Sequence, residues 1–92
     1  MQVCIFTKKN IDLFYLSPYV EYIAEKDKTI FRNDLFNKIA ITPPIKGNAE
    51  IVLQKFKKGI SSDSVLHFIE QNFIGGNSQM ILDGLLQNGI IE

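Results

Sequence analysis

Short apolar runs separated by polar turns fill the first half of the chain and predict β-strands. A first short strand is expected around Val3, Ile5 and Phe6, and three more over residues 19–24, 29–32 and 36–42, which are rich in β-branched and aromatic residues. Charged residues 25–28 and the pair Asn33-Asp34 suit tight reversals between these strands. Since proline cannot donate to a strand ladder, Pro43-Pro44 ends the predicted meander.

In the second half the apolar positions recur at helical spacing, which predicts three helices. The first is expected over residues 45–58 and ends at Gly59. The second begins at a cap on Ser61 or Ser62 and runs to the Gly75-Gly76 break. The third is capped by Asn77 or Ser78 and ends at Gly89, where glycine adopts the left-handed conformation without a Cβ penalty. Residues Ile90-Ile91 then return to the core.

The order of strands followed by helices predicts an α+β, winged-helix-like fold with a three- or four-stranded antiparallel sheet followed by three helices. The 92 residues are enough for a single domain, residues 1–92. Residues 1–15 are expected to add an N-terminal strand, or they indicate that the domain was cut from a larger enzyme. Three helices cover one face of such a sheet and leave an edge strand open.

The balance of charges and the single cysteine narrow the classes of function. Lys and Arg number 10, as do Asp and Glu, so the formal net charge is zero, which weakens a nucleic-acid interpretation. Cys4 has no partner for an internal disulfide, which suits a reducing, cytoplasmic location. No apolar run approaches the ~20 residues of a membrane span. We therefore expect neither nucleic acid nor membrane as a partner.

Residue types that carry catalysis or bind metals are too scattered to predict an active site. His67 is the one histidine and lies beside apolar residues of the second helix, which favours a structural or surface role. Cys4 sits in an apolar segment and is expected to be a buried small hydrophobe. Residues 75–78 lack the glycine spacing of a dinucleotide loop and the lysine of a phosphate-binding loop. We predict no enzyme activity, no cofactor and no metal.

Three local patterns, in this order after a strand meander, carry a family resemblance over about four-fifths of the chain. They are the strand entry Leu16-Ser17-Pro18-Tyr19-Val20, the segment Gly59-Ile60-Ser61-Ser62-Asp63-Ser64-Val65-Leu66-His67-Phe68-Ile69, and the ending Ile81-Leu82-Asp83-Gly84-Leu85-Leu86-Gln87-Asn88-Gly89-Ile90-Ile91. With them residues 17–92 resemble the PqqD-like proteins and the related recognition elements that bind leader segments of ribosomally made, modified peptides. The longer link at residues 43–48 and the extra residues 1–15 depart from a minimal member.

The resemblance implies that a precursor (leader) peptide adds as an antiparallel strand to the third strand of the meander, beside the third helix. The domain then presents that peptide to a modifying enzyme of the radical SAM, cyclodehydratase or adenylating type. Ile39 and Ile41 are expected on one face of the docking strand, with Lys38 and Ala40 on the other, and Lys38 and Arg32 are expected to attract acidic leader residues. The implied peptide-binding residues are Arg32, Lys38, Ile39, Ala40, Ile41, Thr42, Gln79, Leu82, Asp83 and Leu86.

Two other functions remain open from the sequence. A winged-helix nucleic-acid binder would need a basic recognition helix, whereas residues 78–88 contain no Lys or Arg and include Asp83. An oligomerisation module would use the same edge strand to form a homodimer.

Overall fold

The computed structural model describes residues 12–92, which form the predicted meander followed by three helices. A two-residue strand between the first two helices was not predicted. The elements are β1 (Leu13–Phe14), β2 (Val20–Ala24), β3 (Thr29–Asn33), β4 (Lys38–Thr42), α1 (Ala49–Lys58), β5 (Ile60–Ser61), α2 (Val65–Asn72) and α3 (Ser78–Gln87). The α+β, winged-helix-like arrangement of a three-stranded antiparallel sheet and three helices is confirmed. The strand predicted around Val3, Ile5 and Phe6 lies outside the described residues.

Strands β2, β3 and β4 form an antiparallel meander in that spatial order, so β2 and β4 are its two edges within the described part of the chain. The register pairs Tyr22 with Phe31 and Phe31 with Ala40, in the row of residues that faces the core. Phe31 and Ala40 are buried there, because alternate side chains of a strand share one face. The opposite face of the sheet is exposed at most of its positions.

Helix α1 begins at Ala49, so the predicted start at Ile45 is wrong. Asn48 has extended backbone dihedrals and its side chain accepts a hydrogen bond from Ile51 N, which makes it the N-cap. Ile45 instead forms an isolated antiparallel bridge with Phe73. Ile45 belongs to the core cluster and is buried at this bridge. Its spacing from the apolar residues of α1 therefore arises from this burial and does not make it part of the helix.

The cap of the second helix differs from the prediction, and the cap of the third is one of the two predicted residues. The N-cap residue of helix α2 is Ser64, so the predicted caps at Ser61 or Ser62 are wrong; Ser61 belongs to β5. The Ser64 hydroxyl makes no cap bond and instead accepts a hydrogen bond from Ser61 Oγ at 3.1 Å. Helix α3 is capped by Asn77, whose side chain accepts hydrogen bonds from Gln79 N and Met80 N.

A second, two-stranded sheet and the C-terminal tail close the core. Strand β1 pairs antiparallel with β5, and Leu16 forms a bridge with Ile91. Tyr15 N donates to Glu92 O at 2.9 Å, and Glu92 N donates to Tyr15 O at 2.8 Å. Ile90 and Ile91 are fully buried, which confirms that the tail after Gly89 returns to the core. None of the helices in residues 12–92 has the length and apolar character to cross a membrane.

Candidate functional site

Edge strand β4 and helix α3 lie side by side and form the candidate site. Among residues 12–92, strand β4 has β3 as its one neighbour in the sheet. Its five residues span about 16 Å, and the ten residues of α3 span about 15 Å, so the two elements match in length. Within residues 12–92, no backbone hydrogen bond from outside the sheet reaches residues 38–42. The free edge of β4 is therefore a template for another strand.

At its first end, β4 is tied to the C-terminal end of α3 by Asn33. The Asn33 side chain, only 1% exposed, donates from Nδ2 to Gly89 O at 2.8 Å. Its Oδ1 accepts from Leu35 N at 2.9 Å and from Phe36 N at 3.1 Å, which shapes the β3–β4 turn. One buried amide thus holds the turn that precedes β4 against the residue that ends α3.

At its other end, the chain leaving β4 is tied to the segment that precedes α3. A Cβ atom on Gly76 would lie 2.8 Å from Pro43 Cγ, so only glycine permits this approach, and its φ of +81° also favours glycine. Ile74 N donates to Pro44 O at 2.8 Å, two residues before that contact. Because the start of β4 meets the end of α3 and the end of β4 meets the start of α3, the two elements run antiparallel.

The predicted site residues of β4 divide between its two faces as the alternation requires. Ile39 and Ile41 are 54% and 66% exposed on the outer face. Ala40 and Thr42 are buried on the inner face, and Lys38, at the start of the strand, is exposed. Ala40 and Thr42 can therefore reach a partner mainly through their backbone groups.

The four predicted residues of α3 do not share one environment. Leu82 is 7% exposed and belongs to the core cluster. Gln79 and Asp83 are exposed and are bonded to each other, from Gln79 Nε2 to Asp83 Oδ1 at 2.9 Å. Leu86 is 38% exposed. The helix thus offers one apolar and two polar side chains, while Leu82 fixes it to the core.

Arg32 lies on the outer face and is engaged by two carboxylates. Its Nε is 2.8 Å from Asp34 Oδ1, and its Nη2 is 3.9 Å from Glu21 Oε1. A hydrogen bond with Asp34, together with the negative charge of that group, raises the pKa of Glu21, while Arg32 opposes the rise. Lys38, in contrast, makes no ion pair within the described part of the chain. The cation available to an acidic partner at this edge is therefore Lys38.

Sequence reasoning missed an apolar surface on the outer face of the sheet. Ile23, Ile30 and Ile41 are cross-strand neighbours in one row, and Ile39 lies on the same face. Ile23 is as exposed as its two counterparts on β4, and Ile30 is half-buried. A shallow concavity of about 260 Å³ on this sheet is lined by Glu21, Tyr22, Ile23, Ile30, Arg32 and Ile39. The sequence signal for this row was the alternation that places Ile23, Ile30 and Ile41 on the faces of their strands opposite Tyr22, Phe31 and Ala40.

No group of three or more His, Cys, Asp or Glu side chains that could hold a metal ion occurs in residues 12–92. His67 is exposed on α2. Cys4, which is predicted to be a buried small hydrophobe, lies outside the described residues.

Comparisons with models of known families, with curated proteins and with solved structures found no match to this chain.

Proposed function

We propose that this protein is a non-catalytic, cytoplasmic recognition domain of the PqqD-like type that binds the leader segment of a precursor peptide. The leader adds as an antiparallel strand to the free edge of β4, and the domain presents the precursor to a peptide-modifying enzyme. The observation that carries the proposal is the pairing of an open edge strand with a helix of equal length that is fixed to it at both ends.

Backbone groups would supply most of the affinity. An added strand forms main-chain hydrogen bonds with the unpaired N–H and C=O groups of an edge, whatever its sequence, and its side chains give specificity. The side chains of Ala40 and Thr42 are buried in the domain, so they hold β4 in position with its edge open to an added strand. The side chains of Ile39 and Ile41 are exposed and can contact the side chains of that strand.

The rigid placement of α3 supports the same proposal. Ordering flexible groups on binding costs free energy, so a groove whose walls are already held binds more tightly than one that must form. Asn33 and the Gly76–Pro43 approach hold the two ends of β4 beside α3. Lys38 adds a positive charge at the start of the edge, which favours a leader with an acidic residue there.

The direct experiment first identifies a short precursor-like reading frame beside the protein's own gene and then titrates the ¹⁵N-labelled protein with the leader peptide that this frame encodes. We expect amide shifts in Lys38–Thr42 and along α3. Strand β2, the other edge of the same sheet, serves as an internal control and should shift little. If β4 and α3 stay unperturbed while saturating peptide is present, the proposal is wrong.

Self-pairing is a second candidate, favoured by the same open edge and by the exposed isoleucines of the outer face. A homodimer through β4 would show as a concentration-dependent rise in mass in sedimentation equilibrium. A strict monomer at high concentration would exclude it and leave the edge available for a peptide.

A further inference from the structure

The outer face of the sheet contains two rows of cross-strand neighbours with different chemistry. One row is all isoleucine and consists of Ile23, Ile30 and Ile41. The neighbouring row consists of Glu21, Arg32 and Ile39, so it changes from charged to apolar as it approaches the free edge. Both rows therefore end on β4 in an exposed isoleucine.

We propose that these two isoleucines select the peptide that binds, by requiring β-branched apolar residues at the two positions directly opposite them. This inference rests on the proposed strand addition to β4 and identifies the class of segment that is bound. On an antiparallel added strand, the residues opposite Thr42, Ile41, Ala40, Ile39 and Lys38 follow one another from N to C.

The isoleucine row gives the physical reason for the preference. Side chains directly opposite each other on one face of an antiparallel pair have Cβ atoms about 4.5–5.5 Å apart, and β-branched pairs are favourable there. A β-branched residue opposite Ile41 would extend the row to a fourth strand and cover a side chain that is now two-thirds exposed. A polar residue would leave that apolar surface in water.

The remaining positions complete the pattern. The residue opposite Ile39 is also expected to be apolar, because Arg32, the next side chain in that row, is already occupied by Asp34 and Glu21. The residue opposite Lys38 is expected to be acidic. The predicted pattern therefore fixes three of the five positions, with β-branched apolar residues opposite Ile41 and Ile39 and an acidic residue opposite Lys38. The sequence Thr-Ile-Thr-Ile-Asp is one that satisfies it.

The size of the outer face argues against a second copy of the domain packed face to face on it. Three strands of five residues cover roughly 17 by 14 Å, a footprint of about 240 Å². A stable interface buries about 800 Å² on each partner, so packing two such faces together falls well short. The side chains of one added strand, in contrast, need cover only Ile39 and Ile41 at the margin of this face.

A double-mutant cycle tests the contact. The probe is a short synthetic peptide with Thr-Ile-Thr-Ile-Asp between Gly-Ser flanks, and its partner peptide has Thr in place of the first Ile. Affinities are measured by calorimetry for the wild-type protein, for Ile41→Thr and for the matched control Ile23→Thr. The control also replaces an exposed outer-face isoleucine, but it lies on β2, the opposite edge.

We expect Ile41→Thr to weaken binding of the isoleucine peptide about three- to fivefold, and Ile23→Thr to change it less than about twofold. Against the threonine peptide, Ile41→Thr should have little further effect, because the contact is already lost. Equal effects of the two protein variants, or fully additive effects of protein and peptide changes, would overturn the inference. Amide shifts of β4 are recorded in the same samples.

The outcome also separates this inference from the proposed function. If the gene-encoded leader perturbs β4 but the designed peptide does not bind, the residue pattern is wrong and strand addition stands. If neither peptide perturbs β4, the proposed function fails, and the inference fails with it.

Discussion

Replacing Asn33 with alanine should destabilise the protein strongly, although the residue lies far from the three helices in sequence. The alanine removes three hydrogen bonds, to Gly89 O, Leu35 N and Phe36 N. Each such bond contributes about 0.5–1.5 kcal/mol net, and a buried group that loses its partner costs more. We therefore expect a loss of about 2–4 kcal/mol in the free energy of unfolding.

Urea unfolding followed by far-ultraviolet circular dichroism measures this loss as a lower midpoint with an unchanged slope. The matched control is Asn72→Ala, which removes one hydrogen bond, from Asn72 Nδ2 to Phe68 O within the same helix. The control should cost less than about 1 kcal/mol. If Asn33→Ala costs no more than Asn72→Ala, the hydrogen bonds of Asn33 do not hold the fold as argued.

The same variant should also weaken the proposed peptide binding under conditions where it remains folded. Without the bond to Gly89 O, the end of α3 is no longer fixed beside the turn that leads into β4. The groove must then be ordered on binding, which lowers affinity. Peptide affinity equal to that of the wild-type protein would show that this bond stabilises the fold without shaping the groove.

Three further predictions concern the tail, the sheet and the helix end. Ile91→Ala, at a fully buried site, should cost about 2–5 kcal/mol in urea unfolding and also weaken peptide binding; unchanged binding would make the tail a purely structural anchor. Tyr22→Phe should raise the pKa of Glu50 in an NMR titration, because the hydrogen bond that Tyr22 donates to Glu50 lowers that pKa. The stabilisation from this bond is lost as pH falls through the lowered pKa, and a Glu50 pKa that does not move in the variant would contradict the argument. Gly89→Ala should cost at least about 1–2 kcal/mol by thermal unfolding, since φ is +69°; a neutral effect would refute the argument.

The order of elements was predictable because its signals are local. Alternating β-branched residues, the proline pair after β4 and the capping Asn77 each act within a few residues of their own position. The open edge of β4 followed from that order, since a three-strand meander has two edges. The buried Ile90-Ile91 tail followed from the glycine stop and the absence of a polar face for it.

The details that build the site depend on contacts between distant parts of the chain. Asn33 suited a turn in the sequence, but its bond to Gly89, 56 residues away, could not be read from the local pattern. Likewise, Ile45 had helical spacing, yet it pairs with Phe73 in a bridge. Alternation placed Ile39 and Ile41 on one face, but only the packing of the helices decides which face is exposed.

The central claim is that a peptide adds as a strand to β4, and amide hydrogen exchange tests it most directly. We expect amides on the free edge of Lys38–Thr42 to exchange quickly in the free protein, because they have no strand partner there within residues 12–92. Saturation with the gene-encoded leader should slow exchange at alternate β4 residues and leave the edge amides of β2 unchanged. Unchanged β4 exchange in a saturated complex, or protection at β2 instead, would contradict the account.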